Sequence, residues 1–281
     1  MDAIRAAIYE TLEIGEPMTV RQVFYALTTQ GVIGKTEAEY KGTVCRLLAE
    51  MRRSGDVPYY WIADATRWMR KPLTHSSVEQ ALRRTAETYR RSLWEEAPER
   101  VEIWLEKEAL AGVVVDVTDE WDVPLMVTRG YPSMSFLYSA ATAIHAASRQ
   151  RTRIYYLGDH DPSGVDIDRA VIEGIGESIN AIEPETGFEH HATFERVAIT
   201  PEQIEAWSLP SRPTKKSDSR SKNFDGESVE LDALPASALR DLARSCIERH
   251  VDERRLDLLR VAEREERRVF ERMASAMGET P

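Results

Sequence analysis

The chain of 281 residues has only two cysteines, Cys45 and Cys246. They lie far apart and outside any CxxC or Cys/His cluster, which argues against a disulfide scaffold and against a zinc site. No run reaches the ~18 uncharged apolar residues that a membrane helix requires. The longest candidate is the short LAGVVVDV stretch from Leu110 to Val117, so no spanning segment is expected. Asp2 and Glu10 stand where a secretory leader would carry a basic patch and then an apolar stretch, so the expected location is cytoplasmic. A phosphate-binding GxxxxGK[ST] loop is also missing, and ATP use would need a partner chain. No internal repeat is present.

What remains is a chain able to bury a core, with 42% apolar and 30% charged residues. Its length suggests about two domains. The net charge of −11 would by itself discourage a nucleic-acid partner, but it is unevenly spread. Between Lys41 and Arg91 eleven basic residues face five acidic ones, net +6. Candidate DNA contacts in this stretch are Lys41, Arg46, Arg52, Arg53, Arg67 and Arg70. A second cluster, Arg212, Lys215, Lys216, Arg220 and Lys222, falls in a Ser/Pro-rich stretch that reads as an exposed loop, and Lys215 and Lys216 are further candidate DNA contacts. On charge alone, a solvated arginine-rich surface explains both clusters equally well.

The first hundred residues read as short helices. Asp2 to Leu12 is amphipathic. Thr19 with Gln22 forms a capping box that opens a helix closed near Gly31, and Thr36 with Glu39 opens another that stops at Ser54-Gly55. Two capped helices joined through a glycine-containing turn resemble a helix-turn-helix, and the following VPYYWIADATRWM has the composition of a strand pair that would form a wing. In such modules the second helix faces DNA. From Val101 the pattern changes. VEIWLE, PLMVTRG, RIYYLGDHD and ATFERVAI read as strands separated by helices, which predicts a mainly parallel sheet with helices on both faces. ESVELDAL and two carboxy-terminal helices follow, the last with Leu256, Leu259, Val269, Phe270 and Met273 at helical spacing. The expected fold class is α/β: a winged-helix domain over 1–98, then a sheet domain with a helical extension over 99–281.

Functional groups of such sheets collect at the carboxyl ends of the strands. Glu106 ends the first strand and Asp159 and Asp161 end the third, so three carboxylates from distant sequence are expected on one edge. Oxygen donors of this kind suit Mg²⁺, which supports phosphodiester chemistry by neutralising charge on the phosphate and leaving oxygen. Taken singly, the two aspartates could merely start the turn before Pro162-Ser163-Gly164, and Glu106 could cap a helix. Their coincidence in this topology favours a metal site.

LEKEAL (Leu105 to Leu110), TRGYP (Thr128 to Pro132) and GDHDPSG (Gly158 to Gly164) resemble the three signature blocks of the Toprim domain, in the form found in the topoisomerase VI A subunit (type IIB) and the related meiotic break-forming proteins. The ELDAL segment, Glu230 to Leu234, resembles a further family block. The likeness covers the helix-turn-helix region and most residues from Val101 to about Arg249. In size the chain is similar to the small stand-alone Mini-A members of phage and mobile elements. Ser135-Phe136 departs from the Thr-Arg pair usual in the second Toprim helix. The resemblance implies that Glu106, Asp159 and Asp161 hold Mg²⁺ and that the nucleophile is the tyrosine of an R-x-x-[YF]-Y block, which here is Arg21-Gln22-Val23-Phe24-Tyr25.

By helical spacing Val20, Val23, Phe24 and Leu27 face a core while Arg21, Tyr25 and Thr28 lie on another face, so Tyr25 is expected to be accessible, with Arg21 one turn away to pair with phosphate and favour the phenolate. The implied activity is Mg-dependent DNA cleavage by transesterification: Tyr25 attacks a phosphodiester, forms a 5′-phosphotyrosyl link and expels the 3′-hydroxyl, reversibly. The implied partners are double-stranded DNA, a second copy of the chain in a homodimer, with the tyrosine of one protomer approaching the metal of the other, and an ATPase B-type subunit. Two other readings stand beside it: a Toprim nuclease that hydrolyses DNA with water, and a non-catalytic winged-helix DNA-binding protein.

Overall fold

The structure is a computed structural model that describes residues 1–63, 72–147, 149–184, 186–213, 224 and 227–278. The chain gathers into two compact units, Met1–Arg67 with Pro98–Ile247, and Trp68–Ala97 with Glu248–Pro281. These cut the sequence differently from the expected 1–98 and 99–281 division.

In the larger unit, α1 (Asp2–Gly15) buries Ile8 and Leu12. Helix α2 (Val20–Thr29) begins at the expected capping box: Thr19 Oγ1 accepts from the Gln22 amide at 3.1 Å and Gln22 Oε1 accepts from the Thr19 amide at 3.0 Å. Thr36 Oγ1 likewise accepts from the Glu39 amide at 3.2 Å, but what it opens is a wide π-helical turn, Glu39–Cys45, before α3 (Arg46–Ser54). Gly55, at φ 86°, closes α3 in the left-handed conformation that glycine adopts without steric cost. The strand pair expected after it does not form over Val57–Ala63. Pro58 starts a helical turn at Tyr59–Trp61, and one parallel bridge joins Met18 to Ile62. Tyr59 and Tyr60 are both exposed, so the in-out alternation of a half-buried strand is missing there. Residues 64–69 of that segment lie outside the described residues.

The α/β expectation holds for the rest of this unit. Strands β1 (Glu99–Leu105), β2 (Leu125–Val127), β3 (Arg151–Leu157) and β4 (Ala192–Ala198) form an all-parallel sheet in the order β2-β1-β3-β4. The connections run through α5 (Ala111–Glu120), α6 (Met134–Ala146) and, between β3 and β4, α7 (Pro162–Ile182) and the short α8 (Phe188–His191). Trp104, Ile154 and Tyr156 pack with Ile144, Val171 and Ile175 of α6 and α7. Ile103, Leu105 and Leu157, which alternate to the opposite face, are equally buried. Both faces of the sheet are therefore covered, as parallel strands require. Beyond β4, α9 (Pro201–Ala206) leads to a segment in which Ser228 bridges Arg212 and Val229 bridges His160, both antiparallel. This lays Glu230 and Asp232 across the end of β3 before α10 (Ala236–Glu248).

The smaller unit pairs α4 (Val78–Thr88) with α11 (Glu253–Gly278). Tyr89 joins them: its ring lies 5.2 Å from Phe270, its hydroxyl donates to Glu266 at 2.8 Å, and its carbonyl accepts from Arg267 at 2.8 Å. The stripe of α11 is narrower than its spacing suggested. Leu256, Leu259 and Phe270 are half-buried and Ala274 is buried, whereas Val269 and Met273 are exposed. Among the described residues no helix is long and apolar enough to cross a membrane.

Candidate functional site at the carboxyl edge of the sheet

The chain leaves β1 toward β2 on one side and returns to β3 on the other, so the order of strands reverses between β1 and β3. Crevices form at the carboxyl ends of strands at such a reversal. Glu106 and Asp159 stand at that point, because Leu105 is in register with Leu157 and the Glu106 amide donates to the Leu157 carbonyl at 2.9 Å.

Glu106 Oε2 accepts from the Asp159 amide at 2.9 Å and from the Tyr156 hydroxyl at 3.4 Å. A Cβ on Gly158 would stand 2.4 Å from the Tyr156 ring and 2.6 Å from Glu106 Oε2, so only glycine lets the carboxylate come this close. Burial, and then repulsion from Asp159, pushes the Glu106 carboxyl up to about 7. Asp159 is 8% exposed and accepts from the Leu231 amide at 2.7 Å. Its pKa too is raised by burial, against the pull of Lys107. Asp161 Oδ1 is engaged as the cap of α7, accepting from the Gly164 amide at 2.7 Å. The three carboxylates thus share one edge, but their ligand atoms do not all lie within 4.8 Å of one another.

Three residues absent from the expected site complete it. Lys107 Nζ sits 2.6 Å from Asp232, 3.1 Å from Asp159 and 3.5 Å from Glu230. Burial disfavours its charge, but these carboxylates outweigh burial and raise its pKa above the usual lysine value. Glu230 in turn pairs with Arg21 at 3.1 Å and with Arg212. Despite burial, Lys107, Arg212 and Arg21 hold the Glu230 carboxyl below its ordinary value. The signal was in the sequence, since Lys107 and the Glu230–Asp232 pair fall in the LEKEAL and ELDAL blocks. Arg196 carried only a weaker sign, a lone arginine in an apolar strand. It pairs with Asp168 and donates to the carbonyls of Gly158 at 3.2 Å, Asp159 at 3.1 Å and Gly164 at 2.7 Å, which fixes the loop bearing both aspartates.

Tyr25 is not where helical spacing put it. It is 4% exposed, against the expectation of an accessible face, because the Glu230 segment and Lys35 cover it. Lys35 Nζ lies 5.2 Å from the ring centroid and donates to the Pro210 and Ser211 carbonyls. The Tyr25 hydroxyl hydrogen-bonds Glu230, and burial followed by the Glu230 charge pushes its pKa up to about 12. Arg21 was expected to favour the phenolate; its opposing effect is smaller than either. Arg21 also stacks at 5.1 Å on Tyr40, a half-buried phenol that sequence reading passed over.

A cleft of about 750 Å³ opens beside this network, lined by Arg21, Tyr40, Arg52, Glu106, Lys107 and Arg129 among others. Arg129, at φ 56° in the TRGYP turn, pairs with Glu108. Of the expected DNA contacts, Arg52 lines the cleft and lies 4.6 Å over the Tyr59 ring, and Arg53 is exposed on the last turn of α3. Lys41 pairs with Glu37 at 3.1 Å and Arg46 with Glu50 at 2.7 Å. Arg67, Arg70, Lys215 and Lys216 lie outside the described residues. Comparison of the chain with protein-family models, curated proteins and solved structures gives no match.

Proposed function

We propose that the chain is a Toprim-type, topoisomerase VI A-like enzyme that cleaves DNA by Mg-dependent tyrosine transesterification, with its amino-terminal helices serving as a helix-turn-helix DNA-binding element. The observation that carries this reading is one charge network, Arg21–Glu230–Lys107–Asp159, which links the helix of Tyr25 to the carboxylates at the strand reversal. The donor set suits a hard divalent ion. Glu106, Asp159, Asp161, Glu230 and Asp232 are five carboxylates against three cations, Lys107, Arg21 and Arg212, so the fully ionised cluster carries two uncompensated negative charges. Glu106, Asp159 and Asp161 would hold the ion, which when bound supplies charge neutralisation at the scissile phosphate.

The protein's own groups do the rest. A DNA phosphate entering the cleft competes for Arg21, as any anion does for a paired guanidinium. Losing that partner makes Glu230 more basic, and Glu230 already accepts the Tyr25 hydroxyl hydrogen bond, so the carboxylate is placed to take the phenolic proton as the oxygen attacks. Arg21 then pairs with the phosphate on which charge develops as the bond from phosphorus to the 3′-oxygen breaks, and that oxygen leaves as the 3′-hydroxyl with a proton from water. Tyr25 must be uncovered for this, which requires the Lys35 contacts to Pro210 and Ser211 to open.

The test is trapping of a covalent protein–DNA adduct with and without Mg²⁺. Wild type is expected to form it only with the metal, and Tyr25→Phe and Glu106→Gln to abolish it. Cleavage by Tyr25→Phe without any adduct would make the enzyme a hydrolytic nuclease. An adduct that survives Tyr25→Phe and is lost in Tyr40→Phe would move the nucleophile to the cleft-lining phenol.

A further inference from the structure

At the amino ends of the strands three side chains converge that the proposed chemistry does not use. His145 is on the last turn of α6, Glu183 follows the last residue of α7, and His191 ends α8 immediately before β4. Among the described residues these form the one group of three or more metal-ligating side chains whose ligand atoms all lie within 4.8 Å of one another. Glu183 Oε2 is 3.4 Å from His145 Nδ1 and 3.7 Å from His191 Nε2. Ligands about 2.0–2.1 Å from a tetrahedral ion stand roughly 3.3–3.4 Å apart, so little movement closes the set.

A second feature is independent of this spacing. His191 is 8% exposed, yet its Nε2, which faces the cluster, is buried and makes no hydrogen bond to the described residues; neither does the buried Nδ1 of His145. Buried polar atoms are ordinarily satisfied, and two imidazole nitrogens that face one carboxylate can each offer a lone pair to a metal ion in the neutral tautomer that leaves that nitrogen free. We propose that His145, Glu183 and His191 bind a borderline divalent ion of the Zn²⁺ class. Two imidazoles and one carboxylate suit Zn²⁺ better than Mg²⁺, which prefers oxygen donors throughout. Glu183 is about half-exposed, leaving the fourth position open to water. The ion would tie the ends of α6 and α7 to the start of β4. One seven-residue strand, roughly 20 Å by strand rise, separates this end of the sheet from Glu106 and Asp159. The absence of a zinc pattern among the cysteines does not bear on it, because its ligands are histidines and a glutamate 46 residues apart at the extremes.

The experiment is equilibrium dialysis of the tag-free full chain against Zn²⁺ in a large excess of Mg²⁺, read as bound zinc by elemental analysis and as the shift in Tm. One Zn²⁺ per chain is expected, with a rise in Tm. Both are expected to vanish in His191→Gln and Glu183→Gln and to persist in Glu106→Gln and in His75→Gln, a histidine remote in sequence. Retention of zinc by both His191→Gln and Glu183→Gln, or no retention by wild type, overturns the proposal. So does loss of zinc in Glu106→Gln, which would put the ion at the carboxylate edge. Should His191→Gln fail to fold, the half-exposed Glu183→Gln decides alone. None of these outcomes depends on DNA cleavage.

Discussion

Glu106 is costly to ionise in its present surroundings. Its carboxyl is raised from 4.5 to about 7, so between these values the folded chain holds a proton that the unfolded chain has released. Stability from this group is therefore complete below pH 4.5, declines as pH rises, and is fully lost above about 7. Glu106→Gln keeps an oxygen to accept the Asp159 amide but carries no charge. It is expected to be more stable than wild type at pH 8 by about 2–3 kcal/mol, the full shift being trimmed by residual solvent screening, and to show no such gain at pH 4.5. Denaturant unfolding of both proteins at the two pH values checks this, and an equal difference at both would mean that the charge is not responsible. Mg²⁺ is expected to remove the wild-type penalty at pH 8, since a cation favours the ionised carboxylate.

At the scale of elements, what positions the site is a set of local devices. The reciprocal cap at Thr19 sets where α2 begins and thereby which of its side chains meet the Glu230 segment. Gly55 ends α3 at φ 86° with no atom near an added Cβ, so substitution there is opposed by backbone conformation alone. Gly55→Ala is expected to cost about 1 kcal/mol, the penalty of a left-handed non-glycine residue, read as a lowered denaturant midpoint at unchanged slope. DNA binding should change little, because Arg52 and Arg53 precede the strained position. A loss of binding without loss of stability would instead show that the α3 end must stay rigid to hold DNA.

At the scale of the whole molecule, the proposed reaction turns on how many chains build one site. The resemblance implies a homodimer in which tyrosine and metal come from different protomers, whereas the contacts from Tyr25 through Glu230 and Lys107 to Asp159 run within one chain. Mixing Tyr25→Phe with Glu106→Gln, each inactive alone, is expected to restore adducts on a single strand of each duplex, because the resemblance implies that the two groups come from different protomers. No adduct from the mixture, while wild type yields one under the same conditions, would establish a same-chain site.

Capping boxes, strand hydrophobicity and the acidic ends of two strands are local patterns, and the sequence alone was enough to place α2, all four parallel strands and Glu106 and Asp159 on one edge. Tertiary structure decided what depends on distant neighbours. Helical spacing put Tyr25 away from the stripe of Val23 and Leu27, but a segment some two hundred residues later lies over it, and exposure is set by that covering. The wing expected after α3 gave way over Val57–Ala63 to a helical turn that Pro58 starts, a choice that aromatic composition did not show. The pairing of α4 with α11, and the grouping of His145, Glu183 and His191 at the far end of the sheet, likewise rest on long-range packing, to which no periodicity in the chain points.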